Sequence, residues 1–174
     1  MSKNWVKDIA LMHKKYGVHE WMETASPYNL RKFIDFRLDF IEEEFEETQN
    51  AHFAEDAEEI VDGLIDLCVV AIGTLDALGV DPYKAWDQVL KANMAKEVGV
   101  KPERPNPLGL PDLIKPAGWK APSHAGNHGN IAHSFVPKGI NEDIWHTNAS
   151  VKEELEDAMY DGIINYEDKA DAKG

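Results

Sequence analysis

Two groups of carboxylates dominate the chemistry available to this sequence. The run Glu42-Glu43-Glu44-Phe45-Glu46-Glu47 is followed by Glu59, Asp62 and Asp66. At about 100° per residue, Glu43 and Glu47 stand about 40° apart on a helix and Glu44 about 60° beyond Glu47, so the three share one broad face. Glu59, Asp62 and Asp66 fall within a sector of about 60° on the next helix. If the two helices pack antiparallel, these stripes face each other, and like charges in a partly buried site repel unless divalent cations lie between them. Ligation by oxygen alone favours Mg2+ or Mn2+ over zinc.

The competing reading is a pair of solvated acidic faces. Asp62 and Asp66 weigh against it because they interrupt an otherwise apolar helix, where charges need partners. Gly63 and Gly73 are tolerated in that helix at about 1 kcal/mol each relative to alanine, although close helix packing is an alternative reason for such glycines and makes Gly63 weak evidence by itself.

The elements that must position these groups are helices. Trp5, Ile9, Met12 and Tyr16 recur at helical spacing before Gly17, predicting a first amphipathic helix over 3–16. Ser26-Pro27 reads as a turn into a second helix, 28–50, with Ile34, Leu38, Ile41 and Phe45 in one stripe. A third, 54–78, is apolar on more than one side and is expected to be mostly buried. Gly79 suits its left-handed end, and Asp81-Pro82 opens a fourth helix over 82–97. Seven of the nine prolines then fall between Pro102 and Pro137, which ends the bundle and predicts an ordered wrapping arm anchored by Leu108, Leu110, Leu113, Ile114 and Trp119. A terminal helix is expected over 148–164, and strand-like alternation is confined to a short run near Ser134 to Val136. The expected fold is all-α: a helical bundle of four core helices with a Pro/Gly-rich C-terminal arm and a terminal helix. Residues 1–122 form the expected domain and 123–174 an extension serving as a lid or oligomerisation arm.

Charge narrows the partners. The 174 residues carry 18 Lys+Arg against 32 Asp+Glu, a net charge of -14, which disfavours nucleic-acid polymers and anionic membranes but not a cation-bound nucleotide. Residues 37–66 hold 12 of the 32 acids beside one basic residue, Arg37. The lone Cys68 excludes an intramolecular disulfide framework. Together with the absence of a signal peptide or membrane span, it points to the cytoplasm.

The run EEFEE, then EIVDGLIDLCVVAIGTLDALGVD, then KANMAK, resembles the all-α nucleoside triphosphate pyrophosphohydrolase superfamily, the MazG-like and phosphoribosyl-ATP diphosphatase-like proteins, over about residues 30–122. The superfamily's paired acidic elements match Glu43, Glu44 and Glu47, then Glu59 and Asp62. The short spacing from Glu47 to Glu59 leaves open a frame shifted to Glu42, Glu43 and Glu46. The likeness is greatest to phage and bacterial members that continue into Lys115, Pro116, Gly118 and Trp119.

The resemblance implies Mg2+-dependent hydrolysis of a nucleoside triphosphate to the monophosphate and pyrophosphate, with Mn2+ as an alternative ion. It implies Glu44, Glu47, Glu59 and Asp62 as metal ligands, Glu43 as the group orienting or deprotonating water, and Asp66 as a supporting carboxylate one turn away. Asn93 and Lys96 match an element associated with the nucleotide. Arg37, Lys91, Arg104 and Lys115 are the remaining cationic helpers, and Trp119 either stacks on a base or anchors the arm. Relatives associate as homodimers or homotetramers, and a phage-encoded member would act in the host cytoplasm. Phosphoribosyl-ATP and guanosine alarmones are alternative substrates for the same helices, and a non-catalytic helical assembly protein is the alternative of a different class.

Other residues read more plainly. His124, His128 and His133 have spacings of four and five residues but no cysteine or acidic companion, so a loop explains them better than zinc. His13 and Trp21 read as packing or interface groups. No phosphate-cradling glycine loop, nucleophile elbow or dinucleotide fingerprint is present.

Overall fold

Local signals set each helix end. In a computed structural model that describes residues 3–101 and 106–135, α1 spans Trp5–Lys15, with the Asn4 side chain accepting a hydrogen bond from the Lys7 amide at 3.1 Å. Gly17, at φ 73°, turns the chain directly into a short helix, α2 (Val18–Thr24), which the apolar periodicity did not signal. Ser26 then caps α3 by accepting from the Asn29 amide at 3.2 Å, and Pro27 fills the first helical position of Pro27–Phe53. At 27 residues, α3 is about 40 Å long.

A tight reversal joins α3 to α4 (Ala57–Ala77) through Ala54, Glu55 and Asp56. Glu55 is left-handed at φ 58°, the Asp56 amide donates to Ala51 O at 2.9 Å and the Glu55 amide to His52 O at 3.2 Å. These two bonds satisfy the last carbonyls of α3, while Asp56 caps α4 by accepting from the amides of Glu58 and Glu59. Such a short connection makes α3 and α4 antiparallel neighbours. At the far end of α4 the same arrangement recurs around Gly79 at φ 74°, with the Gly79 amide on Asp76 O and the Val80 amide on Leu75 O, both at 3.0 Å. Asp81 and Pro82 then start α5 (Pro82–Met94), as their sequence predicts.

Two expectations need correction. Beyond α5 lies a small antiparallel hairpin, β1 (Glu97–Gly99) with β2 (Asp112–Ile114), in which Gly99 faces Asp112 and Glu97 faces Ile114. Three-residue strands leave too little alternation to read from sequence, and the residues before Phe135 form a 3-10 turn (Ala132–Ser134) instead of a strand. The third expected helix, here α4, is not mostly buried. Val61, Leu64 and Ile65 are 63%, 52% and 42% exposed, although α4 packs chiefly against α3 and α1.

The core joins Met22, Leu30, Ala77 and Leu78 with Val18, Phe33, Ile34 and Ile131. The arm is held to this core by specific polar contacts. The Asn127 side chain brackets the Asp81 peptide, accepting from its amide and donating to its carbonyl, each at 2.9 Å. The Asn130 amide donates to Leu78 O at 2.7 Å. Gly129 passes so close to Leu78 that a side chain there would collide with its carbonyl. Among the described residues, no single helix is long and apolar enough to cross a membrane. The expected helix over 148–164, Val136 and Arg104 lie outside the described residues.

Candidate active site

Close approach of α3 and α4 creates the site. A Cβ on Gly63 would overlap the Thr48 hydroxyl and come within 3.3 Å of the Thr48 Cβ, so only glycine lets the helices meet at this level. Thr48 folds its hydroxyl back to donate to Glu44 O at 2.8 Å, which keeps the contact narrow. Asp62 flanks Gly63 on α4, and Glu44 and Glu47 lie within a turn of Thr48 on α3. The tight packing therefore draws the two acidic stripes together.

Electrostatics records that convergence. The Glu44 carboxyl is pushed above its ordinary value, first by desolvation and then by the negative charges of Asp66, Glu47, Glu43 and Asp62. Glu44 and Asp66 are half-buried, whereas Glu43, Glu47, Glu59 and Asp62 are exposed. Glu42 and Glu46 are exposed and are not among the groups that raise Glu44, whereas Asp62 and Asp66 of α4 are, which puts Glu44 on the side of α3 toward α4. Glu59 shares the face of Asp62 one turn nearer the reversal, but is not among the groups that raise Glu44. Asp66 is the first of the charges that do. Among the described residues, no lysine or arginine pairs with any of these carboxylates. No three of these carboxylates place an oxygen each within 4.8 Å of the others among the described residues, so the side chains would have to draw together to hold an ion. Their chemistry, oxygen alone and without a basic partner, is the kind that suits a hard divalent cation.

The nucleotide-directed candidates divide into separate places. Asn93, Lys96, Lys115 and Trp119 come together at the end of α5. Lys96 Nζ donates to Asn93 Oδ1 at 2.8 Å, and the ammonium groups of Lys96 and Lys115 lie 5.7 and 4.5 Å from the Trp119 ring centroid. The Trp119 indole N–H also donates to Ala92 O at 2.7 Å, which ties the arm to α5. Lys91 is exposed on α5. Arg37 is instead half-buried between helices, donating from Nε to Thr74 Oγ1 at 3.0 Å and from Nη2 to Val70 O at 2.9 Å.

Residues 19–93, which contain both carboxylate helices, match the phosphoribosyl-ATP pyrophosphohydrolase family. That family lies within the all-α MazG-like superfamily, and the match spans 75 of the 174 residues. The helical architecture agrees with that assignment, and the family is one of pyrophosphohydrolases, enzymes that release pyrophosphate from a nucleotide. The matched segment includes Arg37, all the paired acids, Lys91 and Asn93, while Lys96, Lys115 and Trp119 follow it. No curated protein matches the chain.

One polar group escaped the sequence reading. His13 Nδ1 and His19 Nε2 lie 2.7 and 2.8 Å from the same oxygen of Asp76. His13 and His19 stand 63 and 57 positions from Asp76, and no local spacing could have signalled the contact.

Proposed function

We propose that the chain is a Mg2+-dependent pyrophosphohydrolase of a nucleoside or deoxynucleoside triphosphate, adding water across the α–β phosphoanhydride bond to give the monophosphate and pyrophosphate. The observation that carries this reading is that Glu44 on α3 faces Asp66 and Asp62 on α4, its carboxyl raised by burial and then by these and the neighbouring acids Glu47 and Glu43. Glu44, Glu47, Glu59 and Asp62 are the residues that would hold Mg2+, with Asp66 one turn beyond Asp62 as a supporting carboxylate. Bound there, Mg2+ (or Mn2+) would neutralise the triphosphate and organise the attack by water. Glu43, exposed beside the cluster, is the group to orient that water or accept its proton. Asn93, Lys91, Lys96, Lys115 and Trp119 offer cations and an aromatic face suited to phosphates and a base. The exposed apolar residues Val61, Leu64 and Ile65 beside the site suit a homodimer or homotetramer. The unpaired Cys68 suits a reducing cytoplasm.

A second reading keeps the same carboxylates and takes phosphoribosyl-ATP as substrate, which the family match favours. A panel of nucleoside triphosphates, deoxynucleoside triphosphates and phosphoribosyl-ATP, assayed for pyrophosphate release with Mg2+ or Mn2+, separates the two. Turnover must fall by orders of magnitude in Glu44→Gln and Asp62→Asn while the far-ultraviolet spectrum stays helical. Full turnover in both folded variants overturns the site. A panel that releases no pyrophosphate overturns both substrate readings.

A further inference from the structure

We propose that His13, His19 and Asp76 form a binding site for a divalent transition metal of the zinc class, separate from the carboxylate cluster and independent of the hydrolase reading. The three residues come from three helices. His13 lies in the last turn of α1, His19 in the first turn of α2 and Asp76 in the last turn of α4. Gly17 at φ 73° lets the chain break between α1 and α2, so that two histidines six positions apart turn toward one point.

The geometry at that point is compact. Both rings address Asp76 Oδ2, at 2.7 and 2.8 Å, and stand nearly perpendicular, at 87°, with centroids 5.9 Å apart. One ligand atom from each residue lies within 4.8 Å of the other two. Nitrogen and oxygen ligands about 2.0–2.1 Å from a tetrahedral ion stand roughly 3.3 Å from one another. A metal therefore needs the histidine–aspartate contacts to open by about half an ångström from hydrogen-bond length, with each imidazole carrying its proton on the other ring nitrogen.

Donor chemistry distinguishes this point from the acidic helices. Two imidazoles and one carboxylate favour zinc-class ions, whereas oxygen alone favours magnesium. Charge favours a cation here for a second reason. Asp76 sits in the last turn of α4, where the helix dipole disfavours an anion, and that turn has no basic residue of its own. Gly73 provides room as well, since a Cβ there would lie 3.2 Å from His13 Cε1 and Nε2. The neighbouring Arg37 is committed to Thr74 and Val70 O. The His13 and Asp76 side chains are 14% and 16% exposed and that of His19 36%, so an ion would enter past His19, and water would complete its coordination. A metal so placed would clip the two N-terminal helices to α4.

The test uses the full chain, stripped with chelator and titrated with Zn2+ by calorimetry in excess Mg2+. The expected result is one Zn2+ per chain, a higher melting temperature reversed by chelator, and a Co2+ derivative with a visible spectrum of mixed nitrogen and oxygen ligation. His19→Gln, at the more exposed ligand, should abolish the stoichiometric Zn2+ and the spectrum while leaving a folded chain, and His13→Gln should do the same. Glu44→Gln and the pair His124→Gln and His128→Gln should retain both signals. Absence of stoichiometric Zn2+, Zn2+ binding unchanged in His19→Gln, or loss confined to Glu44→Gln or the arm variants overturns the proposal.

Discussion

Gly63 and Thr48 touch across the α3–α4 interface so closely that the space for a Cβ on the glycine is already filled by the threonine hydroxyl. This contact sets the separation of the acidic stripes. Alanine at 63 would gain about 1 kcal/mol of helix propensity, but overpacking of this kind costs about 1–3 kcal/mol. Thr48 is β-branched, and its Cα as well as its Cβ lies near the glycine, at 3.5 and 3.3 Å, so rotation of the side chain gives little relief. Gly63→Ala is expected to lower stability by up to about 2 kcal/mol in urea unfolding and to reduce activity by spreading the acids. Adding Thr48→Ala should restore much of the loss, and a Gly63→Ala variant more stable than the parent would show that the helices do not meet here.

Glu44 should make stability depend on pH and on cations together. Its carboxyl is raised by burial and then by Asp66, Glu47, Glu43 and Asp62, so the folded chain holds this proton more tightly than the unfolded chain. The resulting stabilisation is complete below the ordinary glutamate value of 4.5 and is lost as pH rises through the higher folded value. Without divalent cations, Glu44→Gln should therefore be more stable than the parent at neutral pH, with the difference shrinking as pH falls toward that ordinary value. Mg2+ should then stabilise the parent more than the variant. Melting curves from acid to neutral pH, with and without Mg2+, check both statements, and a pH-independent difference would remove the charge convergence.

Arg37 joins α3 to α4 by two hydrogen bonds, and desolvation lowers its guanidinium pKa. A lysine ammonium cannot reproduce that planar pair of donors. Arg37→Lys is expected to cost about 1–3 kcal/mol of stability. A variant with an unchanged melting curve but weakened substrate binding would assign Arg37 to the nucleotide.

Glu55 holds a left-handed conformation at φ 58° that closes α3. A side chain there costs roughly 1 kcal/mol, which glycine avoids. Glu55→Gly should accordingly raise stability by about that amount, measured by thermal or urea unfolding, without changing turnover. A loss of stability would mean that this reversal does not constrain the chain.

The sequence alone determined the four longer helices, the Gly79 turn, the Asp81-Pro82 start of α5 and the presence of acidic faces on α3 and α4. These features depend on hydrogen bonds and side chains a few residues apart, so their signals lie within one turn. It also placed the arm after α5, through the concentration of proline. It missed α2, whose seven residues span too few turns for apolar periodicity to register, and the hairpin, whose strands are three residues each. Only the tertiary structure decided that Glu44 of the EEEFEE run lies toward α4 and that Asp66, one turn beyond Asp62, stands first among the charges that raise it. It also decided that Arg37 lies within the helix contact, and that His13 and His19 meet Asp76. The physical reason is that a helical wheel fixes angles around one axis only. Its rotation and distance relative to a neighbour depend on packing, here on the fit of Gly63 against Thr48.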